Sequence, residues 1–423
     1  MTQKTDKKRV VLAFSGGLDT SFCLLYLQEA RGYEVVTVTV DTGGFSPEAL
    51  AAIEGRAHAL GAVEHRTIDG TKAVFDDHIR YLIFGNVRRG QTYPLCVGAE
   101  RVAQARAVAA LAHEVGAQAI AHGSTGAGND QIRFDVAIRA LCPDLEIITP
   151  IRDEGWSRPA SAAWLAERGV LIPTSTTEYS VNEGLWGVTI GGKETHDPWQ
   201  TLPEGAWAWT RAADEAPAAG VELVLSFERG VPTAIDGAAM DGVALVRALN
   251  ELGGAHGVGR GMHVGDTILG IKGRVAFEAP AAAILLEAHR ELEKMVLSRW
   301  QQHHKDMIAA SYGMLLHEAG YFDPVMRDFE AFLESSQAAV SGEVRVRLAQ
   351  GKLTVVGVRT PYSMMSATAG TYGERNTLWS GDDARGFAAI FGTQSLLAAR
   401  ARSAGDKDMS EKSAQQGEEA IGA

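Results

Sequence analysis

The sequence predicts an α/β fold: a parallel-sheet domain, then an α+β domain, then a C-terminal helix and tail. Three observations carry this. Short β-branched or apolar runs alternate with helical patterns over the first 170 or so residues, which is the rhythm of a parallel sheet. The first run leads into a glycine-rich turn of the kind that cradles phosphate. From Val221 onward, two hairpin signatures with helices between them replace the alternation. A chain of 423 residues exceeds one ordinary core, so the expected divisions are 1–172, 173–384, a helix over 385–404 and a disordered tail over 405–423.

Composition narrows the function. A formal charge of -12 argues against nucleic acid or an anionic membrane as the main partner, and favours small substrates. Cys23, Cys96 and Cys142 show no CxxC spacing, as expected of reduced thiols in a cytoplasm. The N-terminal stretch lacks an apolar signal core, and no apolar run approaches a membrane span.

The elements follow in order. Val10–Phe14 has the length of a buried parallel strand, and Ser21–Leu27 the apolar density of a helix packed on it. Glu34–Val40 is β-branched and predicts a second strand, ending at Asp41-Thr42-Gly43-Gly44. Ser46-Pro47 opens a helix, Gly61 ends it, and Val63–Asp69 predicts a third strand. An alanine-rich helix (Ala99–Val115), a strand (Gln118–Ala121), a helix from about Asn129, a strand (Glu146–Thr149) and a serine-capped helix (Ser157–Gly169) complete the first domain. The glycine- and tryptophan-rich stretch up to Trp209 has no clean period and predicts long loops over an active site. Val221–Gly237 predicts a hairpin turning at Arg229-Gly230, Val243–Leu252 a helix, Ile284–His304 one long helix, Glu343–Val358 a second hairpin and Phe387–Arg402 a terminal helix.

Two stretches carry the chemistry. In the first, Gly16 and Gly17 let the backbone aim successive N–H groups at one anion, while the next helix adds its positive end. The turn lacks the lysine of GxxxxGK[ST] and the third glycine of GxGxxG, and instead presents Ser15, Thr20 and Ser21 around Asp19. A carboxylate beside polyphosphate calls for a divalent cation, so Asp19 points to Mg²⁺. The plainer alternative makes Asp19 a helix cap.

In the second, His122 to Asp135 holds three glycines in a short loop, then Asn129 and Arg133 four apart on one helical face, with Asp130 beside them. A donor and an acceptor together suit a zwitterion, and amino acids are zwitterions. The plainer alternative is a capped helix with Arg133 in a surface pair. None of the histidines shows HExxH or CxxC…H spacing, and no triad stands out. Activation by adenylation, catalysed by alignment and electrostatics, fits this inventory.

The turn SGGLDTS resembles the pyrophosphatase-type loop of enzymes that split ATP into AMP and pyrophosphate. Its context resembles the argininosuccinate synthases, with further matches in order to about Phe387. The resemblance implies a first domain of the adenine nucleotide alpha-hydrolase type and a ligase using ATP, Mg²⁺, L-aspartate and L-citrulline or a related ureido acid. It also implies a homotetramer. Carried over, Ala13, Phe14, Ser15, Gly16, Gly17, Leu18, Asp19, Thr20, Ser21 and Val40 contact ATP, with Gly123 bordering it. Asp19 takes the metal, and Asp19, Asp130 and Arg133 are the catalytic set. Thr125, Asn129 and Asp130 hold aspartate, while Tyr93, Asn129, Arg133 and Ser180 hold the acceptor, joined by Thr189. Gly257–Arg260 and Lys272–Pro280 match further family signatures.

The departures fall in the acceptor pocket. Cys96, Val97 and Gly98 stand where the family reads GTS, Gly265 where it has a glutamate and Phe277 where it has a tyrosine. Asp266 offers a neighbouring carboxylate, but a one-residue displacement on a strand reverses the face. Citrulline is therefore expected to be used poorly, or a ureido acid with a different amino-acid end preferred. The competing readings are an RNA-modifying enzyme with the same loop and a non-catalytic nucleotide-binding paralogue.

Overall fold

The computed structural model describes residues 8–126, 128–171, 179–365, 372–374 and 377–421, with side chains as far as 412. The chain forms two compact units, Met1–Tyr362 and Ser363–Ala423. The division expected at 172–173 lies outside the described residues.

The first unit opens with five parallel strands: β1 (Arg9–Ala13), β2 (Glu34–Asp41), β3 (Glu64–Asp69), β4 (Ala119–His122) and β5 (Glu146–Ile148), in the order β3-β2-β1-β4-β5. The order reverses between β1 and β4, which leaves a crevice at their carboxyl ends. Helices α1 (Leu18–Glu29), α2 (Pro47–Ala59), α3 (Gly98–Glu114), α4 (Asp130–Leu141) and α5 (Arg158–Ala166) accompany the strands. Alternation along β1 feeds two layers: Val10 and Leu12 join a core with Phe22 and Leu24, whereas Val11 joins one with Val108 and Leu111. Ser46 and Ser157 cap α2 and α5 as expected, each accepting a backbone N–H three residues on.

Beyond residue 179 the strands are antiparallel. β6 (Ser180–Gly184), β7 (Gly187–Gly191), β11 (Arg260–Asp266) and β12 (Lys272–Glu278) form a sheet in the order β11-β12-β7-β6. A second sheet holds β8 (Val221–Glu228), β9 (Val231–Ile235), β10 (Ala238–Ala239), β13 (Gly342–Ala349) and β14 (Lys352–Arg359). Both expected hairpins occur, and their turns take left-handed backbone: φ is +49° at Arg229 and +78° at Gly230, and +46° at Gln350 and +76° at Gly351. Helices α6 (Gly242–Ala255), α7 (Pro280–Val296), α8 (Arg299–His317) and α9 (Val325–Ser336) pack with this sheet's apolar face in one cluster.

Three expectations are corrected. The single helix over Ile284–His304 is two, α7 and α8. Ser298 and Gln301 cap each other's backbone N–H reciprocally, which breaks the helix even though the apolar period continues through it. The loops expected before Trp209 include the β6–β7 hairpin, whose glycines at 184, 187 and 191 hide its alternation. In the second unit, α10 (Gly381–Phe391) is followed by α11 (Thr393–Ile421), so the tail expected to be disordered after 404 is helical. Its Ala, Glu, Lys and Gln favour helix, and Lys412 pairs with Asp408 one turn earlier. No helix among the described residues is long and apolar enough to cross a membrane. The three cysteines are free and buried.

Candidate active site

The turn after β1 is built to leave donors free. Gly17 is the N-cap of α1 and no side chain caps the helix, so Asp19 is not a cap. Phe22, Leu24 and Leu27 are fully buried, each contributing about 1.5–3 kcal/mol, and this packing anchors the uncapped end. Gly16 takes φ +70°, and the Arg56 guanidinium donates to its carbonyl. Thr20 Oγ1 lies 3.3 Å from Ser15 Oγ. A cavity of about 730 Å³ opens here, lined by Ala13, Phe14, Ser15, Gly17, Leu18, Asp19 and Thr20, with Val40 and Gly123 across it. Gly16 and Ser21 do not line it. Gly16 backs onto Ile53, and Ser21 is fully buried with its hydroxyl unpartnered.

Asp19 keeps Oδ1 buried and without a hydrogen-bond partner, while Oδ2 lies 3.7 Å from Arg158. Burial pushes its carboxyl above the usual range, with Arg158 opposing. An unmatched carboxylate oxygen beside the uncapped helix end fits a Mg²⁺ that takes most of its other ligands from water and phosphate. No group of three or more His, Cys, Asp or Glu side chains among the described residues is arranged to hold a metal alone.

A second cavity of about 550 Å³ adjoins the first, and Asp19, Gly123, Ser124, Asp130 and Asn182 line both. Tyr93, Thr125, Asn129, Asp130, Arg133, Ser180 and Thr189, the expected substrate residues, all line this second cavity. The loop after β4 is held from below: His122 Nδ1 accepts the Ser124 N–H, and its Nε2 lies 2.9 Å from Asp135, which Arg152 also binds at 3.0 Å.

Asp130 sits in a clamp. Arg133 Nη1 donates to Oδ1 at 2.8 Å and Arg101 Nε to Oδ2 at 3.0 Å. Burial alone would raise this carboxyl, but the two guanidiniums outweigh it and hold it below the usual range, so it stays ionised. Arg101 also donates to Asn182 Oδ1 at 3.0 Å, which ties α3 and α4 to β6. Arg133 is not in the surface pair of the plainer reading. It is 5% exposed, and its Nε donates to the His317 carbonyl at 3.0 Å. Asn129 Oδ1 accepts the Ile268 N–H at 2.9 Å, joining the glycine-rich loop to the β11–β12 turn.

Arg101, Asn182, His263 and His317 escaped the sequence reading. Arg101 left one signal, a cation in the first turn of a helix where the dipole disfavours it. The others reach the cavity only through tertiary packing. Burial and the Arg133 and Arg89 charges push His317 down to about 3, so it is neutral; its Nδ1 lies 3.2 Å from Arg133 Nη2.

The departures separate spatially. Gly98 lies beneath His317, off the cavity lining, and Phe277 is buried with its ring tilted against Tyr93 at 5.4 Å. Gly265 and Asp266 both line the cavity, and the Asp266 carboxylate pairs with Lys272 at 2.6 Å.

Comparison with known proteins gives the family. Residues 9–171 match the description "Arginosuccinate synthase N-terminal HUP domain", and residues 179–398 match "Arginosuccinate synthase C-terminal domain". An argininosuccinate synthase of Xanthomonas campestris pv. campestris is 42% identical over 398 residues, covering 93% of this chain and 98% of the relative. One from Dictyoglomus thermophilum is 38% identical over 92% of this chain and 97% of its own length. One from Methanocaldococcus jannaschii is 40% identical over 86% and 92% respectively. Since both halves match in order and the matched relatives align over nearly their whole length, the chain belongs to the argininosuccinate synthase family of ATP-dependent ligases.

Proposed function

We propose that the protein joins L-aspartate to L-citrulline, or to a related ureido acid, releasing AMP and pyrophosphate. The observation that carries this is the shared wall. The phosphate cavity and the Asn129–Arg133 cavity meet at Asp19, Gly123, Ser124, Asp130 and Asn182, so a nucleotide in one and an amino acid in the other would present their reacting ends to each other.

In this reading the free N–H groups of the turn and the hydroxyls of Ser15 and Thr20 hold the leaving pyrophosphate. Asp19, with one unmatched oxygen, is the residue that would hold Mg²⁺; the ion when bound neutralises phosphate charge. Thr125 and Asn129 orient aspartate, and Tyr93, Ser180 and Thr189 orient the acceptor. The ureido oxygen attacks the α-phosphorus, pyrophosphate leaves, and the aspartate amine then displaces AMP from the ureido carbon. Asp130 stays ionised within its clamp, so its part is to position Arg133 and Arg101 and to face a substrate donor, not to carry a proton. A homotetramer and a cytoplasmic location belong to the same proposal, supported by resemblance and, for the location, by the free cysteines.

Acceptor labelled with oxygen-18 in its ureido group tests the chemistry. The label should appear in AMP. Label retained wholly in the amino-acid product would mean that the cradle orients a different nucleophile.

A further inference from the structure

The cavity-facing side of β6, β7, β11 and β12 has an unusual chemical composition. Register puts Asn182 opposite Thr189, Thr189 opposite Phe277, and Gly265 opposite Gly273, with His263 opposite Val275 on the same face. This face offers hydroxyls, an amide, an imidazole and glycines. Asp266 and Arg274 alternate to the opposite face of their strands but still line the cavity; Asp266 pairs with Lys272, and Arg274 donates to the Glu194 carbonyl at 3.2 Å. Across the cavity, the Arg101–Asp130–Arg133 clamp carries two cations for one carboxylate, and Arg89 pairs with Glu318. Each carboxylate lining the cavity, Asp19, Asp130 and Asp266, already has a cation within 4 Å.

His263 is the centre of this wall. It is 9% exposed, its ring stacks on Tyr93 at 5.5 Å and 20°, and its Nε2 is buried with no hydrogen-bond partner. Burial and the Arg89 charge push it below the ordinary imidazole range. A Cβ at residue 265 would stand 2.5 Å from Nε2, so any side chain at 265 requires this imidazole to leave its present position. At Gly273 a Cβ would meet only Thr267, at 3.5 Å, so the floor beside the imidazole is open. Simply restoring a glutamate at 265 therefore cannot work while His263 keeps its place.

We propose that this wall selects a ureido acceptor whose far end is a carboxylate with no ammonium beside it, and that His263 sets the selection. An ammonium placed at this wall finds no carboxylate without a cation already beside it and faces the clamp's surplus positive charge; a lone carboxylate is favoured by both facts. The inference rests on the ligase reading above and names its acceptor class, an ω-ureidoalkanoic acid.

Pyrophosphate release with ATP and aspartate is compared for L-citrulline and 5-ureidopentanoate, which differ only in the α-amino group. The ratio of their kcat/KM values on one preparation does not depend on the fraction of folded enzyme. The expected ratio favours 5-ureidopentanoate by roughly tenfold or more. Equal use, or a preference for citrulline, overturns the inference and leaves the ligase reading standing. Release with neither acceptor overturns both. The double variant His263→Ala with Gly265→Glu, which frees the space and supplies a carboxylate, should move the ratio toward citrulline by roughly tenfold or more. A folded variant with an unchanged ratio removes His263 from the role.

Discussion

Glu100 provides a prediction whose size follows from the structure. It lies in the first turn of α3, is 1% exposed, accepts from Thr42 Oγ1 at 3.3 Å and leaves Oε1 buried without a partner. Burial pushes its carboxyl up to about 8, against the weaker pull of Arg101 and the Thr42 hydroxyl. In the unfolded chain the same group ionises near 4.5. Because the folded value is the higher one, the full stability is present below 4.5, is lost as pH rises through 4.5 toward 8, and changes little further above that. At about 1.4 kcal/mol per pKa unit the loss has an upper bound of roughly 5 kcal/mol. Glu100→Gln cannot titrate and keeps an oxygen for Thr42. Urea unfolding of parent and variant at pH 5 and pH 8 should show the variant gaining roughly 2–5 kcal/mol relative to the parent between the two pH values. A difference constant within about 0.5 kcal/mol would mean that Glu100 is ionised in the fold and the argument from burial is wrong. Thr42 lines the cavity beside the glycine-rich turn, so this carboxyl lies one hydrogen bond from the proposed ATP site.

Other predictions follow from the clamp and the cradle. Asp19→Asn should cut turnover by roughly tenfold or more while leaving the melting temperature equal or higher, because a half-buried carboxylate with an unmatched oxygen is a cost to the fold; turnover within about twofold of the parent would end the metal role. Arg101→Met should lower kcat/KM by roughly ten- to a hundredfold, since it releases Asn182 and one oxygen of Asp130 at the junction of the cavities, and a change of less than about twofold would make Arg101 a bystander.

Much of this molecule was readable from local patterns. The βα rhythm, the serine caps and the glycine turns at 230 and 351 each depend on neighbours in sequence, and each took the form its residues required. The Ser298 box was equally local but lay inside a continuing apolar period, so the helix break went unread. The β6–β7 hairpin lay hidden because glycines, which carry no pattern, stand at 184, 187 and 191, where its strands end or begin. The site divides the same way. Asp19 and the Asn129–Arg133 face are short-range signals, whereas His317 meets Arg133 across 184 residues of chain and Arg101 meets Asn182 across 81. The close approach of His263 to residue 265 is short in sequence, but it depends on the ring position in which His263 stacks on Tyr93.

The central claim is that ATP, a ureido acid and aspartate react where the two cavities share a wall. Pyrophosphate release in the complete mixture, compared with each single omission, tests this most directly. The account predicts sustained release only when all three are present, with at most about one equivalent per site when aspartate is left out, because the adenylated acceptor then has nothing to displace AMP. Sustained release without a ureido acid, or none in the complete mixture with any ureido acid, would contradict it.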